Sequence, residues 1–489
     1  MSKEFDASYD VVVIGGGAAG FSCADQAVKD GLTCALLEKE AQIGGSSVFA
    51  EGHAAFDSDE QAKRGIVVTK SEGFNTFMTY SHWRANPKLV SRYVGNTAST
   101  IKKMRDEVGA IYEDVTVTAL DQPGELVTWH LPEGEVAHLL ELLDADARRR
   151  GVDVFLSTAA TEVLKEDGKV VGIVATDADG KEVRIGAKAV VIATGGFAAS
   201  PELLDKYTKY GIGEQIINAG GPGNTGDGLR MALEAGGIEH RNIGTLLLFP
   251  FMRDKTPVSQ VNCAGMQPYF WVDADGHRFT NEVVGMNFGH AGDVVATLPG
   301  AFYWCIFDQA TLAHMVEDGN EIGLGIYVCN HEKMIGLPAE LDADAADPER
   351  TNVYSAATIE DLAGAMGVDP DVLRHEVDAY NEFCDAGVDA RFFKTDKYLR
   401  PVTEGPFYAL KMETGIMVSM GALSIDEFMR CLTPDDEPIP GLYAVGCDAG
   451  GLFGESYTLS IPGSSNGFAL TSGWLAADDV ASRIQAGEL

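Results

Sequence analysis

Basic residues are scarce in this sequence. Lys and Arg number 37 against 73 Asp and Glu, for a net charge of −36. A chain so acidic offers no broad basic face, which argues against nucleic acid and against anionic membrane surfaces. Long apolar runs are missing too. None approaches the roughly 18 residues that cross a bilayer, so no membrane insertion is expected. The eight cysteines form no CxxC and no CxxCH. That excludes a dithiol redox pair, a c-type haem and a short-spaced zinc or iron–sulfur site, and no metal is expected. Scattered as they are, they read as buried free thiols in a reducing compartment. The opening MSKEFDASYD shows neither a signal peptide nor a twin-arginine segment, so a cytoplasmic location is expected. Disorder is excluded by 45 % hydrophobic and 22 % charged residues.

Glycine is what the chain has in excess, 56 of 489 residues, and its placement is informative. Tyr9 to Ile14 is a short apolar run of the kind buried on both faces in a parallel sheet. It enters Gly15-Gly16-Gly17-Ala18-Ala19-Gly20, and a helical pattern follows to Gly31. Thr33 to Leu37 is a second buried strand, ending in Glu38. A GxGxxG alone is weak. Between a strand and a helix, with an acid ending the next strand, it is the dinucleotide fingerprint. Gly15 makes the tight turn, Gly17 lets backbone approach a pyrophosphate, and Gly20 lets helix pack on strand. Glu38 accepts from a ribose hydroxyl.

Two further glycine clusters follow apolar segments, Thr194-Gly195-Gly196-Phe197 and Gly220 to Gly228, with Asn224, Thr225 and Asp227 inside the second. Residues 91–110 and 133–152 have helical spacing, and Glu162 to Ile185 reads as a hairpin meander. Between 245 and 400 the β–α rhythm is lost and aromatic and Met residues concentrate at 247–271, which suggests an inserted domain. The rhythm returns with the strand Gly441 to Val445 and a closing helix that begins with small residues.

Five segments taken together resemble the flavoproteins of the fumarate reductase/succinate dehydrogenase type, a group that includes 3-ketosteroid dehydrogenases and urocanate reductases. They are VVIGGGAAG with Glu38-Lys39 and Gly44 to Ser47, ATGGF at 193–197, NTGDG at 224–228, GHRFTNE at 276–282 and PIPGLYAVG at 438–446. The resemblance covers nearly the whole chain. It implies an α/β fold: a glutathione-reductase-like FAD-binding domain from residues 1–244 and 401–489, with an α+β cap inserted at 245–400. It implies FAD, with Gly15, Gly17, Ala18, Ala19 and Gly20 at the pyrophosphate and Glu38 on the adenosine ribose. Asp227 is expected near the flavin end and Asp448 on the ribityl chain. Lys39, Gly45, Ser46, Ser47, Ala160, Thr194, Gly195, Gly196, Asn224, Thr225, Gly463, Ser464 and Ser465 complete the expected cofactor contacts. Covalent members attach flavin to a histidine that GGSSVFAEGH lacks, His53 falling several residues too late, so non-covalent FAD is expected.

Family chemistry moves a hydride between flavin N5 and a carbon of an activated C=C bond, with a side chain handling the proton on the other carbon. The proton-donating arginine of fumarate reductases would stand eight residues after Arg278, where this chain has Met286. The carboxylate clamp is also gone. Phe249-Pro250-Phe251 occupies one histidine's place, Met417 to Ala422 the other's, and Ser460 the arginine's. A dicarboxylate desolvated without partners would cost several kcal/mol per charge, which excludes fumarate and succinate.

The expected site is apolar, lined by Phe249, Phe251, Met252, Tyr269, Phe270, Trp271 and Met286, although such a cluster equally suits a cap core. Tyr457, in the Gly-x-x-Tyr setting of ketosteroid enzymes, is the expected proton donor. Ser460 would assist, and His290 is the fallback. Arg278 is expected to pair with Glu282. These readings converge on an FAD-dependent ene-reductase or dehydrogenase of a small apolar substrate, a 3-oxosteroid first. The alternatives are a reductase of aryl acrylate-type acids anchored by Arg253, or a flavin electron-transfer subunit. Electrons would pass to or from a separate donor or acceptor, because the single fingerprint is taken by FAD.

Overall fold

The computed structural model describes residues 4–118, 124–209, 215–323, 325 and 328–489. Its first sheet has eight strands. The main path runs Arg430–Leu432, Pro438–Ala444, Glu182–Ile192, Ala7–Ile14, Cys34–Leu37 and Asp153–Phe155. Ala7–Ile14 is central and parallel to both neighbours, with Val11 to Ile14 matched to Cys34 to Leu37 and to Ala189 to Ile192. Those residues are almost wholly buried, which is why the strands read as unbroken apolar runs. The meander is antiparallel, Ala159–Glu166 on Lys169–Thr176 on Glu182–Ile192.

Helix Ala18–Lys29 leaves the first glycine turn and packs along Ser464–Gln485, the last helix. The approach is close: a Cβ on Gly473 would stand 2.3 Å from the Ala19 carbonyl oxygen. The two helical stretches expected from spacing are Pro87–Lys103, extended by a wider turn to Val108, and Glu135–Arg150. A small sheet of His53–Ala54, Trp129–Pro132 and Tyr112–Thr116 sits beside them.

A second sheet of six strands forms the cap. Its centre is Phe407–Met420, a 14-residue strand that pairs with Ile217–Asn218, Thr245–Phe251, Phe302–Phe307 and Val353–Ala356. Phe270–Val272 lies outside Phe302–Phe307. The sheet therefore reaches past both ends of the 245–400 segment. Two apolar clusters flank it, one around Trp271 and Tyr303, the other around Phe270 and Tyr380. Arg278 is sealed within the cap, bonded to Glu282 at 2.7 Å and to Asp389 at 2.7 Å.

Candidate active site

One large cavity, about 970 Å³, runs from the glycine turns of the first sheet to the underside of the cap. Gly15 has φ +115°, and a Cβ there would strike the Ala193 carbonyl oxygen at 2.2 Å. A Cβ on Gly20 would stand 1.9 Å from the Gly15 carbonyl oxygen. Both glycines are required by the fold itself. Gly17 is different: its φ is −90°, and a Cβ would meet only Ser47 Oγ at 3.5 Å and the Gly44 oxygen at 3.6 Å. Nothing in the protein needs a glycine there, and it faces the cavity.

The Glu38 carboxylate is held by backbone amides. It accepts the Gly16 amide at 2.7 Å and the Glu40 amide at 2.8 Å. Lys39 crosses to the third glycine cluster, bonding Asp227 at 2.6 Å and Thr225 at 2.7 Å. Ser46 Oγ accepts the Gly221 amide and the Asn224 side-chain amide, each at 2.8 Å, and Ser47 Oγ accepts the Ala18 amide at 3.2 Å. Side chains of one loop thus position the backbone of two others.

At the far end, helix Ser464–Gln485 starts on Gly463 at φ +77° with no side-chain cap. Its first turn presents Ser465 and Asn466 to the cavity. Neither polar atom of the buried Asn466 side chain has a hydrogen-bond partner among the described residues. An unsatisfied amide, an uncapped helix start and a glycine that only a ligand demands together fit a long molecule with a diphosphate and a polar ring edge.

A family model described as "FAD binding domain" matches residues 10–462. The chain belongs to this FAD-binding flavoprotein family. It is 36 % identical over 476 residues to a vinyl phenol reductase of Lactiplantibacillus plantarum, covering 95 % of each chain. It superposes on the open conformation of a flavocytochrome c3 fumarate reductase with a TM-score of 0.77 at 25 % identity, covering 98 % of this chain and 79 % of that one. A 3-ketosteroid delta1-dehydrogenase from Sterolibacterium denitrificans shares the fold with a TM-score of 0.75 at 20 % identity, covering 97 % and 99 %. The protein is an FAD-dependent oxidoreductase of the fumarate reductase-like group.

In this flavoprotein most residues expected at the cofactor line the cavity: Gly15, Gly17, Ala18, Ala19, Glu38, Lys39, Gly45, Ser46, Ser47, Ala160, Thr194, Gly195, Asn224, Asp227, Gly463 and Ser465. Gly20, Gly196, Thr225 and Ser464 stand behind them. Asp227 is drawn to Lys39, next to Glu38. One expected cofactor residue is placed differently. Asp448 does not line the cavity. Its carboxylate accepts from Gly195 N at 2.9 Å, Gly196 N at 3.3 Å and Thr194 Oγ1 at 3.1 Å, so it braces the second glycine turn. Burial pushes it up to about 6, against the pull of those donors. Its neighbour Cys447 faces the cavity instead, its thiol pushed up by burial to about 12.

The aromatic cluster divides. Phe249 and Phe251 line the cavity, edge to face with ring centres 5.6 Å apart. Met252, Tyr269, Phe270 and Trp271 are closed into the cap cores, because alternate residues of Phe270–Val272 pack on either side of a sheet covered on both faces. Met286 stands off the cavity beside the Tyr398 hydroxyl. Tyr457 lines the cavity and is buried. Burial raises its phenol, with the first turn of the last helix at Ser464 and Ser465 pulling the other way. Ser460 does not line it, and its carbonyl accepts the Leu126 amide at 2.9 Å. His290 lies outside as well, exposed, its Nε2 2.6 Å from the Tyr80 hydroxyl.

The sequence did not single out Phe288, Leu459, Trp129, Asn466 and Lys255, all in the lining. Asn466 directly follows the serine pair and was within reach of the same argument. Lys255 forms an ion pair with Asp344 at 2.5 Å, and Arg253 is held by Glu413. No helix among the described residues is long and apolar enough to cross a membrane.

Proposed function

We propose that this flavoprotein reduces a conjugated C=C bond in a small, neutral, aromatic substrate of the vinylphenol type. The aromatic wall of Phe249 and Phe251 carries the reading. It lies where a dicarboxylate reductase would need charge, and it suits a flat ring. The 36 % identity to a vinyl phenol reductase across 95 % of both chains supports it. In such a molecule the phenol oxygen donates electrons through the ring, so protonation of the terminal carbon leaves a quinone-methide-like benzylic carbon that can accept a hydride. The cofactor, when bound and reduced by a separate donor, would supply the hydride for the benzylic carbon. Tyr457 would give its proton to the terminal carbon, so that hydride plus proton convert the alkene to an ethyl group.

A steroid, the first expectation from sequence, has support only from neighbours that share the fold at 20 % identity. The acid alternative loses its anchor, since Arg253 is bonded to Glu413 through Nε at 3.1 Å and Nη2 at 2.9 Å. FAD is proposed to bind without a covalent link, and the burial of His53 against the Tyr112 hydroxyl at 2.7 Å supports this. Electrons are proposed to come from a separate donor. A cytoplasmic location is part of the same reading, supported by eight free cysteines.

The test is anaerobic. The flavin is reduced chemically and mixed in separate runs with 4-vinylphenol, a cinnamate-type acid, a 3-oxo-4-ene steroid and fumarate, and return of the oxidised flavin band is followed. Fastest return with vinylphenol is expected. Faster return with the steroid or with fumarate overturns the substrate reading.

A further inference from the structure

Among the described residues that line the cavity, only Lys39 and Lys255 are cationic. Lys39 is engaged by Asp227 and Thr225, beside Glu38. Lys255 belongs to the cap and follows the strand that carries the aromatic wall. Leu247, Phe249 and Phe251 are alternate residues of Thr245–Phe251 and face the cavity in a row. The start of that strand pairs with Val418 to Met420, where Ser419 Oγ accepts the Phe197 amide at the second glycine turn. Its end pairs with Glu413. The row therefore runs outward from the glycine turns, about 13 Å from Leu247 to Phe251 for a strand's rise per residue. The chain continues in the same direction. The Arg253 carbonyl accepts Asn352 Nδ2 at 2.9 Å, and the Asn352 carbonyl takes the amide of Lys411, two residues beyond Glu413.

The turn that presents Lys255 is clasped at both ends. The buried Asn262 side chain accepts the Met252 amide at 2.9 Å and donates to the Pro257 carbonyl at 3.2 Å. The Lys255 side chain is 14 % exposed, and its Nζ stands 2.5 Å from Asp344 Oδ2. That contact is not aligned as a hydrogen bond, and Oδ2 accepts none among the described residues. Asp344 Oδ1 is taken by Arg350 Nε at 2.9 Å, so one buried carboxylate is divided between two cations, with the exposed Asp347 3.9 Å from Arg350. Glu51, also in the lining, packs against Gly325. No described residue accepts a hydrogen bond from the Lys255 ammonium, which has three N–H donors to place. A half-neutralised cation with free donors on a cavity wall suits an oxygen that is anionic or a strong acceptor.

We propose that Lys255 is the specificity-determining residue for the ring oxygen of the substrate. This rests on the alkene-reductase reading above. The ring lies on Phe249 and Phe251 with its alkene toward the glycine turns, and the oxygen on the opposite side of the ring meets the Lys255 ammonium. The ammonium donates to that oxygen and favours its ionised form. The ring is then richest in electrons when the terminal carbon takes its proton. The phenolic proton leaves to solvent on binding and returns on release, so each turnover still adds one hydride and one proton to the alkene.

The test uses flavin-loaded protein and compares 4-vinylphenol with its methyl ether, 4-methoxystyrene. Reduced wild type is expected to reoxidise faster with the phenol. Lys255→Met should slow the phenol about 10- to 100-fold and leave the ether unchanged, as loss of a hydrogen bond from a charged donor requires. Lys255→Arg should recover part of the rate, and Arg350 keeps Asp344 paired in both variants. Equal slowing of phenol and ether would make Lys255 a structural partner of Asp344 and overturn the proposal. So would a loss confined to a cinnamate-type acid, which would make it a carboxylate anchor. A second readout needs no turnover. 4-Nitrophenol is titrated with oxidised holoprotein, and its phenolate band should appear at lower pH when bound to wild type than in water, but not with Lys255→Met. Failure to bind, or the same shift in both proteins, overturns the proposal. A shift that Lys255→Met abolishes, without turnover of vinylphenol, supports the phenol site and overturns the substrate reading alone.

Discussion

The Asp448 carboxylate accepts the Gly195 amide at 2.9 Å across 253 residues of sequence. It is fully buried and has no cation among the described residues, so backbone amides and a hydroxyl carry its charge. Replacing it by Ala strips the acceptor from these donors. A loss on the order of 3 kcal/mol is expected in urea unfolding, together with weaker flavin retention. Asp448→Asn keeps an acceptor and should recover part of both.

The same group sets a pH dependence. Burial raises it from 3.8 to about 6, so the folded protein holds this proton more tightly than the unfolded chain. Its contribution is complete below about pH 4 and is lost as pH rises through 6. Asp293 contributes with the same sign. Unfolding free energy measured from pH 4 to 7 should therefore fall less steeply in Asp448→Asn than in wild type. Parallel curves would show that Asp448 titrates normally.

Gly17 and Gly20 should part company on substitution. A Cβ on Gly20 collides with the Gly15 carbonyl at 1.9 Å, so Gly20→Ala should fail to give soluble folded protein. Gly17→Ala meets only ordinary contacts, from 3.5 Å outward. It should melt within about 0.5 kcal/mol of wild-type apoprotein while losing most of its flavin absorbance. Equal flavin content in Gly17→Ala and wild type would remove the backbone at Gly17 from the cofactor contact.

Tyr457→Phe keeps the ring that packs 5.5 Å from Phe453 and removes only the hydroxyl. Stopped-flow reoxidation by 4-vinylphenol should slow about 100- to 10,000-fold, with chemical reduction of the flavin and substrate affinity unaffected. A change in affinity alone would make Tyr457 a binding residue.

Gly415 backs the aromatic wall. A Cβ there would press on Phe251 Cβ at 2.8 Å and on the Phe249 ring at 3.2 Å. Gly415→Ala should push both rings inward and raise KM for an aromatic alkene several-fold, with flavin binding intact. An unchanged KM would place the substrate elsewhere.

The glycine turn with Glu38 was legible because each residue there obeys a local rule: Gly15 and Gly20 answer to sterics, Glu38 to its place at a strand end. The aromatic stretch was not. Phe249 and Trp271 look alike in sequence, and only the sheet decides that one strand end meets the cavity while the other strand is covered on both faces. Asp448 and Cys447 show the same limit at single-residue scale, where a turn of backbone exchanges which neighbour faces in. The ion pair of Asp227 was not legible because its partner, Lys39, lies 188 residues away.

Strand Phe407–Met420 deserves a last consequence. At about 3.3 Å per residue its 14 residues extend roughly 46 Å. One end is stitched to Phe302–Phe307 and Val353–Ala356. Toward the other, Gly415 supports the aromatic wall, Met417 and Val418 line the cavity, and Ser419 Oγ accepts the Phe197 amide at 2.7 Å. A single rod is thus common to both lobes. Melting either lobe must tear the other's hydrogen-bond ladder, so calorimetry should record one transition rather than two, and any opening of the cap must flex this rod along its length.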